Sequence, residues 1–360
     1  CLSEIEEGMP EPLVDRPGAV RADATGAARG NLDRARILGH YRTMARIRAF
    51  EEAADRALQA GHVKGAVHLS IGQEAVASGV CANLERGDFI TSNHRGHGHT
   101  LAKGADMGAM MAELFGRASG SCQGKGGSMH IADFQVGMLG ANGVVGAGIP
   151  IAVGAAHAMK LAGDRRIVVC FFGDGAVNRG PFLEGLNWAK VFDLPVLFVC
   201  EDNGFAATTR TRSVTAGPGP GARAESLGIP STPVDGNDVV AVDAAAAALV
   251  AQVRAGAGPQ FLHARTYRLR GHTAVDAAPY RPAAEVEERW HDEPLRRCRD
   301  LLALDGVAAA ELDRVRAEAE AEVARAVADG LAAPHPGPAL AWTDVQDVDM
   351  RPVAGAEAPR

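Results

Sequence analysis

Gly173-Asp174-Gly175 and Glu201-Asp202-Asn203 each follow an apolar run. Those runs, residues 167–172 and 195–200, are rich in β-branched and aromatic residues and read as buried strands. Asp174 and Asn203 then stand at two strand carboxyl ends, the edge at which open α/β sheets bind ligands. A carboxylate and an amide at such places can simply cap turns. A hard cation such as Mg²⁺ makes a different demand: near-octahedral oxygen ligands, one or two from protein and the rest from phosphate or water. Two oxygen donors at neighbouring strand ends suit the cation better than a turn.

A second cluster is Asn93-His94-Arg95-Gly96-His97-Gly98-His99, after a short predicted strand over residues 89–92. Three histidines so close suggest a metal, but the spacing is neither His-x₃-His on a helix nor a zinc-finger pattern, and no cysteine is near. Zinc is not expected there. Arg95, on a glycine-loosened strand end, suits a phosphate, because a guanidinium forms two parallel bonds to it. His68 and His272 stand alone in sequence, and a lone histidine is more often structural than catalytic. His272 follows a predicted strand over residues 261–267, which places it at a third carboxyl end. There its imidazole could exchange a proton near pH 7. Residues 116–127 are glycine-rich and contain Lys125, without the Gly-Lys-Ser/Thr ending of a P-loop. Small residues around Gly143 and Val145 permit close backbone contact with a flat ring.

Helices must join these strands. Phe182, Leu186 and Ala189 recur at helical spacing between the two central runs, giving a strand–helix–strand unit. A long helix is expected from Asn31 as N-cap, with Leu32, Ile37, Tyr41, Met44, Ile47 and Ala54 on one face and Gly61 at its end. Further helices are predicted over residues 107–115, 149–161, 239–254 and 311–328. Residues 210–223 read as a loop, and 274–282 as an exposed, movable loop carrying Tyr280 and Arg281. The fold class is α/β: a mostly parallel sheet with helices on both faces. Residues 1–30 read as a flexible arm, 31–334 as the α/β domain, and 335–360 as a tail whose Trp342 could pack on a partner.

At 360 residues, with 47% hydrophobic and 22% charged, the chain can bury a full core. A formal net charge of −7 gives no sign of a nucleic-acid partner. No apolar run is long enough to span a membrane, and the acidic start does not read as a signal peptide. The cysteines show no Cys-x-x-Cys spacing, and Cys170 and Cys200 lie in apolar strands as reduced thiols. A cytoplasmic protein is expected.

Three motifs carry a family resemblance: Ser92-Asn-His-Arg-Gly-His-Gly-His, Gly124-Lys-Gly-Gly-Ser-Met-His-Ile-Ala-Asp133, and Gly173-Asp174-Gly175 with Asp202-Asn203. The last resembles the thiamine-diphosphate motif. Together, over residues 32–334, the chain resembles the alpha subunit of the decarboxylating component of 2-oxo acid dehydrogenase complexes. The acetoin dehydrogenase type looks most similar, then the pyruvate type. The resemblance implies the thiamine-diphosphate-binding fold, with Mg²⁺ on Asp174, Asn203 and the carbonyl of Phe205. It implies His94, Arg95, Asp174, Gly175, Ala176 and Asn203 around the diphosphate, and backbone contacts from Gly143 and Val145 to the aminopyrimidine ring. His68 and His272 would face substrate and thiazolium, His272 also touching the cofactor, and Tyr280-Arg281 would belong to a loop that orders with it. Asp202, Arg179 and His94 depart from the family's commoner Asn, Gln and Tyr. Thr273 stands where some relatives carry a regulated serine; a plain loop hydroxyl is the simpler reading.

The implied activity cleaves a carbon–carbon bond of acetoin or a 2-oxo acid and passes the acyl fragment to a lipoyl-bearing acyltransferase, thiamine diphosphate supplying the electron sink. A beta subunit would bring the carboxylate that activates the pyrimidine, in an assembly of two alpha and two beta chains. Three rivals are a pyruvate or branched-chain enzyme, a non-catalytic scaffold that kept the fold, and a biosynthetic enzyme with another acceptor.

Overall fold

A computed structural model describes residues 33–343. Six parallel strands form one sheet in the order β2-β1-β3-β4-β8-β7. They are β1 (Phe89–Thr91), β2 (Met138–Gly140), β3 (Val168–Gly173), β4 (Val196–Asp202), β7 (Ser231–Asp235) and β8 (Gln260–Arg265). A small antiparallel pair, β5 (Phe205–Ala206) and β6 (Thr209–Arg210), stands beyond the end of β4.

Side chains on a strand alternate between faces, and both faces of the central strands are covered. Val169, Phe171, Leu197 and Val199 point into one core cluster. Val168, Cys170, Phe172, Val196, Phe198 and Cys200 point into the other. The first is walled by α1 (Arg34–Gln59), α2 (Glu74–Cys81), α4 (Met107–Leu114), α8 (Val239–Arg254), α10 (Pro294–Leu304) and α11 (Ala309–Ala332). The second lies under α5 (Gly148–Leu161), α6 (Gly180–Val191) and α7 (Pro220–Glu225). The short helices α3 (Gly96–Ala102) and α9 (Ala283–Trp290) complete the set. The α/β fold with helices on both faces is as expected. Each fully buried large apolar side chain contributes about 1.5–3 kcal/mol, so the continuous apolar runs of β3 and β4 anchor the molecule.

Several local expectations need correction. Asn31 and Leu32, like the predicted arm and most of the tail, lie outside the described residues. The N-cap of α1 is Asp33, whose carboxylate accepts from the N–H of Arg36 at 3.1 Å. Residues 210–223 are not all loop: Gly219, at φ +103°, turns the chain so that Pro220 opens α7 as its first residue. β7 escaped notice because Pro233 sits inside it, which an edge strand tolerates. β8 ends at Arg265, so His272 lies beyond the strand. An extended run carries it to the sheet's edge, pinned where the N–H of Leu269 donates to the carbonyl of Ile71 at 3.1 Å. Gly72 makes that approach possible: a Cβ there would stand 2.3 Å from the carbonyl oxygen of Tyr267. In the loop read as exposed, Arg281 is buried and donates to the carbonyls of Arg268 and Arg270.

Candidate functional site

The carboxyl ends of β3 and β4 open into a cavity of about 470 Å³, within the range of small-molecule sites. His68, His94, Arg95, Gly143, Val145, Asp174, Gly175, Ala176, Asn203, Phe205 and His272 all line it. The structure thus brings together these candidate residues from six separate segments. In-register pairing of Gly173 with Glu201 sets Asp174 and Asn203 side by side at the sheet edge. Asp174 is buried and accepts from the hydroxyl of Thr211. Burial, and then the neighbouring negative charge of Asp202, push its pKa up to about 7. Two carboxylates this close call for a proton or a cation between them. Asp202 itself stays low: burial works against it, but His263 donates to it at 2.8 Å and outweighs burial. The Asn203 amide donates to Gln73 at 3.0 Å, which turns its oxygen the other way, towards the N–H of Phe205.

Across the cavity, Arg95 caps α3 and is buried. Its guanidinium donates to the carbonyls of Leu69 at 2.7 Å and His272 at 2.8 Å. Arg268, fully buried, lies near it and donates to the carbonyl of Ala207 and the hydroxyl of Tyr280. Among the described residues neither guanidinium touches a carboxylate, so the cavity presents two buried cations with room for an anion. Burial first, then the charge of Arg268, lowers the pKa of Arg95 to about 9.

The rings of His68, His94 and His272 stand 4.6, 4.9 and 5.6 Å apart. Burial, reinforced by Arg95, holds their pKa values at about 3, 2 and 4. His272 is therefore neutral across the physiological range. Arginine can only donate, so Nδ1 of His272 accepts from Arg95 at 3.2 Å, and its proton lies on Nε2. The trio could in principle gather a metal, with one nitrogen of each within 4.8 Å of the others. Its surroundings are wrong for one, since a metal-bound imidazole donates its other N–H to a carboxylate or carbonyl, and here arginines press on the ring instead. His97 and His99, the rest of the histidine run, face the interior and serve structure.

Sequence reasoning missed Arg268, Gln73, Met129 and Glu201 in this wall.

The dehydrogenase E1 component family matches residues 42–339. The chain belongs to that family. Its members are thiamine-diphosphate-dependent oxidoreductases. The chain is 45% identical over 322 residues to the alpha subunit of an acetoin:2,6-dichlorophenolindophenol oxidoreductase from Cupriavidus necator, covering 87% of this chain and 95% of that one. It is 43% identical to the same subunit from Bacillus subtilis, covering 88% and 95%. It is 40% identical to the pyruvate dehydrogenase E1 component subunit alpha of Zymomonas mobilis, covering 88% and 90%. Among the described residues no helix is long and apolar enough to cross a membrane.

Proposed function

We propose that this chain is the alpha subunit of an acetoin dehydrogenase, holding the diphosphate half of a thiamine diphosphate site that a beta subunit completes. The observation that carries it is the pairing of Asp174 and Asn203 at one cavity end with two carboxylate-free guanidiniums, Arg95 and Arg268, beside them. The residues fit the cofactor and its cation. Asp174, Asn203 and the Phe205 carbonyl supply hard oxygen donors for Mg²⁺, which would relieve the repulsion that raises Asp174. Asp202, where the family has Asn, is held by His263 and leaves Asp174 and Asn203 to the cation. Arg95 and Arg268 would neutralise the diphosphate, Gly175 would admit it closely, and Gly143 and Val145 would offer backbone contacts to the aminopyrimidine ring. When bound, thiamine diphosphate supplies the carbanion and the electron sink.

The chain's own residues do the rest. His272 and His68 orient the substrate oxygens by hydrogen bonds from neutral imidazole. An anion seated on the guanidiniums offsets their charge, which moves His272 back towards the range in which it accepts and returns a proton. The wall of Met129 and Phe172 excludes water. Val145, 42% exposed in the cavity lining, and its neighbour Val144, 63% exposed, offer an apolar surface on which the beta subunit would close the site. Assembly as two alpha and two beta chains, transfer to a lipoyl-bearing acyltransferase, and a cytoplasmic setting complete the reading; free, buried Cys81, Cys170, Cys200 and Cys298 agree with a reducing compartment.

Acetoin is placed ahead of pyruvate because the acetoin-type relatives share more of the sequence. Co-expression with the matching beta-type chain, followed by dichlorophenolindophenol reduction with acetoin, pyruvate and branched 2-oxo acids, tests this. The highest kcat/KM should fall on acetoin. A pyruvate preference would move the chain to the pyruvate type.

A further inference from the structure

Two guanidiniums are buried in the cavity wall without a carboxylate in contact, yet burying an unpaired charge is costly. For Arg95 the compensation lies in two glutamates held by its own helix α3. His97 and His99 leave α3 towards the interior, and each meets a fully buried glutamate from a different part of the fold. Nδ1 of His97 is 2.8 Å from Glu51 of α1, and Nε2 of His99 is 3.1 Å from Glu201 of β4. The far nitrogens meet serines: Ser128 at 2.9 Å and Ser92 at 2.8 Å. Glu51 also accepts from the N–H and hydroxyl of Ser70, at 2.9 and 2.7 Å, next to the Leu69 carbonyl that holds Arg95. Glu201 lines the cavity wall and keeps its second oxygen without a partner.

We propose that Glu51 and Glu201 are charge-balancing and positioning residues for Arg95, each bonded to an imidazole of α3, His97 or His99, and not to the guanidinium. The inference rests on the reading of the guanidiniums as the diphosphate seat. The arrangement solves a conflict. A carboxylate bonded directly to Arg95 would occupy the N–H groups and repel the incoming anion. A carboxylate bonded to an imidazole instead lowers the cost of burying Arg95 and leaves its donors to the ligand. Both glutamates act on Arg95 in that sense, opposing the effects of burial and of Arg268. The imidazole rings also fix α3, and with it His94 and Arg95, against α1, β4 and the loop carrying Met129.

The test uses Glu51→Gln and Glu201→Gln, with inorganic diphosphate as probe in calorimetry at pH 8, above the ordinary imidazole range. Glutamine can keep the hydrogen bonds while removing the charge. Each variant should melt at a lower temperature yet bind diphosphate more tightly, by about tenfold for one charge removed at this depth. A purely architectural role predicts unchanged or weaker binding, and that result in the variants would overturn the proposal. If one variant does not fold, the other decides. If the unaltered chain binds no diphosphate at all, the reading of the anion seat fails instead, which keeps the two failures distinct.

Discussion

Asp174 is the residue on which the cofactor end of the site turns. Asp174→Ala should abolish Mg²⁺-dependent binding of thiamine diphosphate in calorimetry and leave the melting curve in place; undiminished binding would remove this residue from the cation site. Its elevated pKa, about 7, carries a pH dependence. The ionised form binds the cation, so proton and Mg²⁺ compete, and lowering the pH favours the proton. Apparent Mg²⁺ affinity should hold above pH 7 and fall towards about tenfold per unit below it. A flat profile from pH 5 to 8 would contradict that. His272→Ala should lower turnover of the complete assembly by about 10²–10⁴-fold. Saturating cofactor should not restore the rate; recovery would mean that the imidazole only buttresses the diphosphate. At this scale the sequence was informative where chemistry and chain punctuation coincide. Asp174 and Asn203 follow buried runs, so their place at the sheet edge could be read directly. Arg268 could not, because its role depends on the packing of Arg95 from a segment far away in sequence.

The elements show the same division. The β3–α6–β4 unit was legible because long apolar runs bounded by Gly-Asp-Gly leave no other register. β7 and α7 were not, since a proline inside a strand and a Gly-Pro repeat at a helix start both resemble loop. The glycine-rich segment, ambiguous in sequence, wraps an internal anion. The Glu113 carboxylate accepts from the N–H groups of Cys122 and Gly124 at 2.8 Å, Gly126 at 2.7 Å and Gly127 at 3.1 Å. Those N–H groups form a nest of the kind that binds phosphate, here filled by the protein itself, and the loop carries Met129 into the cavity wall. Glu113→Ala leaves four donors without acceptors, and should cost at least about 3 kcal/mol in chemical denaturation. A loss under about 1 kcal/mol would show that water replaces the carboxylate freely.

Among the described residues an apolar side formed by α5 and α6 stands exposed. Ile151 and Leu161 of α5, with Leu183, Trp188 and Val191 of α6, are 47%, 80%, 48%, 49% and 65% exposed. A monomer gains nothing from that, whereas the core of a stable interface has this composition. Ile151→Glu and Val191→Glu should each weaken assembly with the beta-type chain by tenfold or more in sedimentation, without lowering the melting temperature of the isolated chain. Unchanged assembly in both would place the partner on another face.

The claim that this chain holds half of a thiamine diphosphate site is tested most directly by omission. Acetoin-dependent reduction of dichlorophenolindophenol should be measured with the chain alone, with the beta-type chain, and with thiamine diphosphate and Mg²⁺ each added or withheld. Turnover should appear only when all four are together. Steady turnover by this chain without its partner, or by the pair without thiamine diphosphate, would contradict the account.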